Sequence, residues 1–312
     1  MPSKLKFGPL VPGNFLDPMP DPHKYIEFFQ ASESLAFDTL WSTERVLGQP
    51  GVLDPFTALA WAAGTTSTIG LGTAVVLSSF RRPVMLAKAA ASMDHISTGR
   101  FSLGISLGGR VDEFEALGIP LRQRPRRFDE TIAIIRHLWS KREVSYTGRH
   151  FNLDRVTISP RPPAGRSIPV LLGGGADPVL RRVASVADGW IAGSSANSDQ
   201  MAQRVENLRA YAQEAGRNPS TLEIGKLIYT AVDATSERAR TRLEGPLKAY
   251  YGSQYDVDKL CAFGSPQDCA SAIQPYLDAG ATTILFGLTS PDVNELELMK
   301  REVLPLLRYA GT

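Results

Sequence analysis

IGLGTAVVLSSFRRPVMLAKAAASMDHISTGRFSLGIS, residues 69–106, reads as strand, helix, strand. Residues 69–77 are nearly all apolar and rich in branched side chains, the pattern of a strand buried on both faces. Residues 83–96 open on a proline and are rich in Ala, Met and Leu, so they read as a helix, and STGR at 97–100 is its exit turn. Residues 101–106 return to strand.

The same alternation continues in both directions. Upstream, 5–10 and 39–42 read as strands. A helix over 22–36 has Asp21 as N-cap and Pro22 at its first position, where the missing N–H costs nothing. Asp54-Pro55 opens another helix, to about Thr66. Downstream, strands at 168–172, 189–192, 222–232 and 282–286 alternate with helices at 178–186, 198–215, 265–279 and 293–307. A helix at 124–139 follows the strand at 101–106. Eight strands, each followed by helix, predict an α/β fold of the (β/α)8 TIM-barrel type over a doubly wound open sheet. Such a barrel takes roughly 250 residues. The chain has 312, and the surplus falls in two places. Residues 141–167 suggest a hairpin around Thr147-Gly148 with a Pro-rich exit, and 235–262 look helical and irregular. The expectation is one barrel domain over 1–312, with insertions at about 141–167 and 235–262.

Composition narrows the function. Apolar residues make up 43% and charged residues 21%, which excludes a disordered chain. Lys plus Arg is 34 against 32 for Asp plus Glu, a net charge of +2 that argues for neither nucleic acid nor an acidic membrane as partner. The two cysteines, Cys261 and Cys269, lack metal-ligand companions and read as reduced thiols. The apolar run in MPSKLKFGPLVPG is broken by Gly8, Pro9, Pro12 and Gly13, unlike a secretory signal. The apolar stretch 69–80 is far shorter than the ~20 residues of a membrane span. The expectation is a cytoplasmic protein.

In a barrel the chemistry gathers where strands end. GGGADP at 173–178 follows an apolar strand and leads into a helix, a nest of backbone N–H groups suited to phosphate. GISLGG at 104–109 lacks the second glycine of a dinucleotide fingerprint and is not followed by a strand. Its missing side chains suit close approach of a flat ligand. Gly72, inside a strand, suggests a bulge or a close contact. Arginines at 122, 124, 126 and 127 are candidates for an anionic tail, or a solvated helix start. Glu44-Arg45 follows the second strand and points to the barrel mouth. Trp41 and Trp190, near strand ends, are either core or pocket wall. None of the four histidines pairs with Ser or Cys in a hydrolase arrangement, and no metal-binding motif is visible. A mouth with so few acid–base groups implies a cofactor that carries the chemistry.

KFGPLVPG at 6–13, GLGTAVVL at 70–77, 81–106, DEFEALGIP at 112–120, RPRRFDETIAIIRHLW at 124–139, IPVLLGGG at 168–175, ADGWI at 187–191 and 263–281 together cover nearly the whole chain. In these stretches the sequence resembles the luciferase-like monooxygenase superfamily, and within it the coenzyme F420-dependent (deazaflavin) oxidoreductases. The resemblance implies a barrel that binds F420, or alternatively FMN, at the strand ends. It implies a non-prolyl cis peptide at Ala74-Val75 behind the flavin ring. It implies cofactor contacts at Ser106, Leu107, Gly108 and Asp112, and a phosphate loop at Gly173, Gly174 and Gly175. The implied activity is hydride transfer between the deazaflavin and a small organic substrate. The alternatives are an FMN-dependent monooxygenase fed by a separate reductase, and a cofactor-binding protein without catalysis. Homodimerisation is implied too, with the Ala-rich helix at 84–96 as a candidate face. Two departures stand out. The sugar-phosphate dehydrogenase branch has Asp-His where this chain has Glu44-Arg45, and a glutamate where it has Gly109. The luciferase branch has a phosphate-binding arginine where Leu107 stands, for which Arg124 or Arg127 would substitute. Glu44, with Arg45, is the expected polar group near the reacting carbon.

Overall fold

The computed structural model describes residues 5–13, 19–48 and 51–308. Residues 1–4 and 309–312 of the expected 1–312 domain lie outside the described residues. In chain order the elements are β1 (Lys6–Pro9), α1 (Pro22–Ser34), β2 (Thr39–Ser42), α2 (Pro55–Thr65), β3 (Gly70–Thr73), β4 (Val76–Leu77), α3 (Pro83–Ile96), β5 (Phe101–Ser106), α4 (Val111–Ala116) and α5 (Arg124–Ser140). They continue with β6 (Val144–Thr147), β7 (Asn152–Val156), β8 (Val170–Gly173), α6 (Asp177–Val186), β9 (Gly189–Ala192), α7 (Ser198–Glu214), β10 (Glu223–Val232), α8 (Ser236–Tyr251), α9 (Val257–Leu260), β11 (Ala262–Gly264), α10 (Pro266–Asp278), β12 (Thr283–Gly287) and α11 (Val293–Leu298).

The parallel strands run β1-β12-β10-β9-β8-β5-β3-β2. The ring closes where Val11 N–H donates to Trp41 O (2.7 Å) and Asp38 N–H to Phe7 O (2.8 Å). This is the expected (β/α)8 barrel. Leu10, Trp41, Leu171, Ile191, Leu227 and Leu285 fill its interior, and a larger apolar shell lies between the strands and the helices. The caps are those read from sequence: Asp21 accepts from His23 N–H, Asp54 from Thr57 N–H, and Ser265 forms a capping box with Asp268.

Two expectations change. The strand over 69–77 is split into β3 and β4 by the cis peptide Ala74-Val75. Gly72 has the close contact expected of it: a Cβ there would stand 2.3 Å from the Trp41 ring. The closing helix keeps α geometry only to Leu298, then loosens into a π turn at Met299–Val303 and a 3-10 turn at Leu304–Leu306. Pro305 has no N–H to give the helix, and its ring crowds the preceding turn. The alanine face of α3 is spent inside the shell, since Ala87, Ala90 and Ala91 are buried and Trp139 Nε1 donates to Ala87 O (3.0 Å). Its alanines thus follow the other reading of this helix, burial in the barrel shell, while Met85 and Ile96 stay exposed on it. The 141–167 insertion forms the hairpin β6–β7, separate from the barrel sheet.

Glu33 holds the approach to β3. Its carboxylate accepts from the N–H groups of Ser67 (2.8 Å) and Ile69 (3.0 Å), and from the N–H and hydroxyl of Thr68. Burial alone would raise its pKa, but these donors outweigh it and hold it at about 2 against the ordinary 4.5. Its folded-state pKa is depressed, so the stabilisation is present above pH 4.5 and is lost as pH falls towards 2. The carboxylate is partly solvated, so the contribution is about 1 kcal/mol. Glu33→Gln is expected to lower stability by about 1 kcal/mol at neutral pH and to flatten the acid limb of stability against pH. Denaturant unfolding between pH 7 and pH 2 checks this; parallel wild-type and variant curves would refute it.

Candidate active site

At the C-terminal ends of the strands lies a cleft of about 1180 Å³. Its apolar wall is Ala74, Val75, Leu107, Ile191 and Leu227. Its other end is glycine-rich and cationic, formed by Gly173, Gly174 and Gly175 with Arg124, Arg182 and Arg204.

The apolar wall depends on how the break after β3 is held. The Thr73 hydroxyl donates to Gly104 O (2.7 Å) and accepts from Gly104 N–H (2.9 Å), standing in for ladder bonds between β3 and β5. Gly104 must be glycine, because a Cβ there would lie 2.0 Å from Thr73 O. Beyond the break, β4 rejoins β5 at Val76↔Ile105 and Leu77↔Ser106. The turn that follows anchors the loop after β5: Ser78 Oγ donates to Ser106 O (3.0 Å) and Ser79 Oγ to Leu107 O (2.6 Å). Phe80 and Phe114 meet edge-on, 4.8 Å between centroids, next to Gly108, which has φ +73°.

The glycine end combines several sources of positive potential. Gly174 has φ +122°, a conformation that favours glycine. Its carbonyl accepts from Trp190 Nε1 (2.6 Å), so Trp190 is a pocket wall with its polar atom satisfied. α6 starts without a side-chain cap, but Pro178 has no N–H, and the N–H groups of Val179 (2.8 Å) and Leu180 (3.2 Å) already donate to Ala176 O, so an anion there would meet the N–H of Asp177 and of the glycines before it. The Arg204 guanidinium lies against Gly175, where a Cβ would come within 2.7 Å of it. Arg124 donates to Gly108 O (3.2 Å), and Arg182 pairs with Asp129. These groups suit a phosphate or carboxylate. The flat apolar wall, approached through glycines, suits a fused ring. The residues present therefore fit a flavin-type cofactor.

Of the residues expected from sequence, Ala74, Val75, Ser106, Leu107, Gly108, Gly173, Gly174 and Gly175 line this one cleft. Glu44, Arg45 and Asp112 do not. Glu44 is buried, accepts from Leu77 N–H and pairs with Arg81, which also reaches Asp54. Burial pushes its pKa up, and Arg81 offsets only part of that. Its job is to hold β4, since the split strand leaves that N–H for a side chain to satisfy. Arg45 donates to Tyr250 O (2.8 Å) and Leu47 O (3.0 Å) and lies 4.7 Å over the Tyr250 ring. Asp112 is exposed on α4, paired with Arg110. Its neighbour Glu113 points inward instead, accepting from Val46 N–H (2.9 Å) and Leu47 N–H (3.3 Å). Arg127 lies 4.8 Å over the Phe151 ring. Trp41 is buried in the barrel.

Sequence reasoning missed Arg204 and Tyr251, both of which line the cleft. Each sits on a long helix among ordinary polar residues, and nothing in the linear pattern marks either. Among the described residues that line the cleft there is no His, Asp, Glu, Cys or Lys.

Comparison with known proteins agrees with this geometry. The family model described as luciferase-like monooxygenase matches residues 6–256. An F420-dependent glucose-6-phosphate dehydrogenase of Kineococcus radiotolerans is 27% identical, over 92% of this chain and 94% of its own. A monooxygenase from Streptomyces bottropensis superposes with a TM-score of 0.85 at 22% identity, covering 96% of this chain and 99% of its own. An F420-dependent secondary alcohol dehydrogenase in complex with an F420-acetone adduct superposes with a TM-score of 0.85 at 19% identity, over 98% and 99%. At these identities the two superpositions speak to the fold alone.

Glu44→Gln keeps an acceptor for Leu77 N–H but removes the charge facing Arg81. A drop of about 1–3 kcal/mol in unfolding free energy is expected. Thermal and denaturant unfolding would detect it, and a variant as stable as wild type would show that Glu44 does not brace β4.

Proposed function

The chain belongs to the luciferase-like monooxygenase family and is an oxidoreductase; we propose that it moves a hydride between a bound deazaflavin, coenzyme F420, and a small organic substrate. One observation carries the reading: an apolar wall and a cationic group of glycines share a cleft whose described lining holds no carboxylate, imidazole or thiol. A relative named as F420-dependent, aligned over more than nine-tenths of both chains, supports the choice of cofactor.

When bound, the deazaflavin supplies the carbon that accepts or releases hydride. Ala74, Val75, Ser106, Leu107 and Gly108 would flank its ring. Gly173, Gly174 and Gly175, the start of α6, Arg204 and Arg124 would hold its anionic portion. The protein's part is orientation and exclusion of water, and the packed wall of Ile191 and Leu227 serves both. Cys261 and Cys269 are buried free thiols, which supports a reducing, cytoplasmic setting. No helix among the described residues is long and apolar enough to cross a membrane.

Fluorescence titration of the purified protein with F420 and with FMN, each oxidised and reduced, tests the assignment. Tight F420 binding with weak FMN binding is expected; preference for reduced FMN would overturn it in favour of oxygen chemistry. Arg204→Gln is expected to weaken F420 binding about tenfold and to reduce its salt dependence, the signature of a lost charge-assisted contact. Equal affinity and equal salt slope would remove Arg204 from the anion site.

A further inference from the structure

A hydride delivered to a carbonyl carbon leaves negative charge on oxygen, and something must neutralise it. The residues that line the cleft offer few candidates. Arginine does not release its proton, and the hydroxyls of Ser106 and Ser195 are far weaker acids than a phenol. Tyr251 remains. It ends α8, in the second insertion, and lines the cleft together with Leu227 and Ile191.

Tyr251 is held from several sides. Its ring stacks on Tyr255 at 4.6 Å and 18°, and meets Tyr250 edge-on at 4.6 Å and Tyr229 at 5.9 Å. Its hydroxyl is 3.1 Å from the hydroxyl of Tyr229, a buried residue of β10. Arg45 pins the same turn by bonding Tyr250 O and lying over the Tyr250 ring. Burial raises the Tyr251 pKa, and the nearby Ser194 and Tyr229 hydroxyls offset only part of it. The hydroxyl is therefore a neutral donor across the physiological range, not a base.

We propose that Tyr251 is the catalytic proton donor of this site and that the substrate is a ketone, aldehyde or enone being reduced. The inference rests on the reading of the cleft as a deazaflavin hydride-transfer site. In the step, a C–H bond of the reduced deazaflavin breaks and its hydride, carrying both electrons, forms a C–H bond at the carbonyl carbon (the β-carbon of an enone), so the deazaflavin is oxidised by two electrons as the substrate is reduced. The carbonyl π pair moves to oxygen, the Tyr251 O–H bond breaks, and its proton goes to that oxygen. Tyr229 passes a proton to the Tyr251 phenolate and is itself reprotonated from water. Arg45 is a positioning residue, acting through Tyr250. A neutral phenol, in a cleft whose described lining holds no carboxylate or imidazole, suits reduction better than alcohol oxidation, which needs a base.

The test uses the full chain with F420 and the carbonyl probes cyclohexanone, acetophenone, benzaldehyde and cyclohexenone. Tyr251→Phe keeps the ring stack and removes the hydroxyl. Its affinity for F420 is expected to equal that of wild type, while single-turnover reduction falls about 10²–10⁴-fold. Tyr229→Phe keeps the donor and is expected to lose about tenfold by slowing reprotonation. An independent readout is the infrared carbonyl band of acetophenone bound beside oxidised F420, where no reduction occurs. Wild type should shift it to lower frequency than in hexane, and Tyr251→Phe should not. Reduction by Tyr251→Phe at close to the wild-type rate overturns the proposal, and so does an unshifted band in wild type, which needs no variant. A wild-type protein that binds F420 but reduces none of the probes overturns it too and leaves the cofactor reading standing. Failure to bind F420 removes that reading itself.

Discussion

The double hydrogen bond between the Thr73 hydroxyl and the backbone of Gly104 is the interaction on which the site depends. A barrel strand that stops pairing leaves buried N–H and C=O groups, each costing about 1–3 kcal/mol if unpaired. Here a side chain takes over at the break, so the backbone can swing Ala74 and Val75 into the cleft without opening the ring of strands. Gly104 makes room for the Thr73 carbonyl, Glu44 takes the N–H of Leu77 where pairing resumes, and Ser78 and Ser79 carry the brace to the loop after β5. The apolar wall is thus a consequence of polar groups placed behind it.

The same economy governs the buried carboxylates. Glu44, Glu113 and Glu295 are nearly inaccessible, and each accepts from backbone N–H groups: Leu77, Val46 with Leu47, and Val232. Glu295 also pairs with Arg242, yet burial still lifts its pKa to about 7. Carboxyl groups buried this way hold loops in register. An unpaired carboxylate in the cleft would oppose an anionic ligand through the same poorly screened field by which Arg204 would attract one.

Conformational anchoring extends to the second insertion. α8 brings Tyr250 and Tyr251 across the barrel mouth, and Arg45, from the loop after β2, fastens it. An arginine and a tyrosine about two hundred positions apart thereby act on one site. Lys226 does comparable work on the far side. It is wholly buried on β10, and its ammonium donates to Gly193 O (2.9 Å) and Ala196 O (2.7 Å), tying down a loop that lines the cleft.

Much of the architecture was legible in the linear pattern. Residues 39–42, 83–96, 101–106 and 189–192 have the bounds their periodicity predicts, and the glycines of the GGGADP loop line the cleft at the strand ends. Such features are local, because hydrogen-bond periodicity, capping and the steric freedom of glycine act within a few residues. The place of the split in the third strand was legible only through resemblance, since in GLGTAVVL the one local mark, Gly72, answers to the Trp41 ring and not to the break at Ala74-Val75. The roles of Glu44, Arg45 and Asp112 were not legible at all. A carboxylate or guanidinium after a barrel strand can face the mouth or turn back to a neighbour, and the choice is set by Arg81, Tyr250 and Arg110. Of these partners only Arg110 is close in sequence. Arg204 and Tyr251 are the converse case, ordinary helix residues whose position over the cleft follows from how α7 and α8 pack. The sequence by itself determined the barrel and the glycine loop at its mouth, because local rules suffice for them. Which polar side chains meet in the cleft was decided by the tertiary structure, because burial and pairing across the barrel choose each side chain's partner.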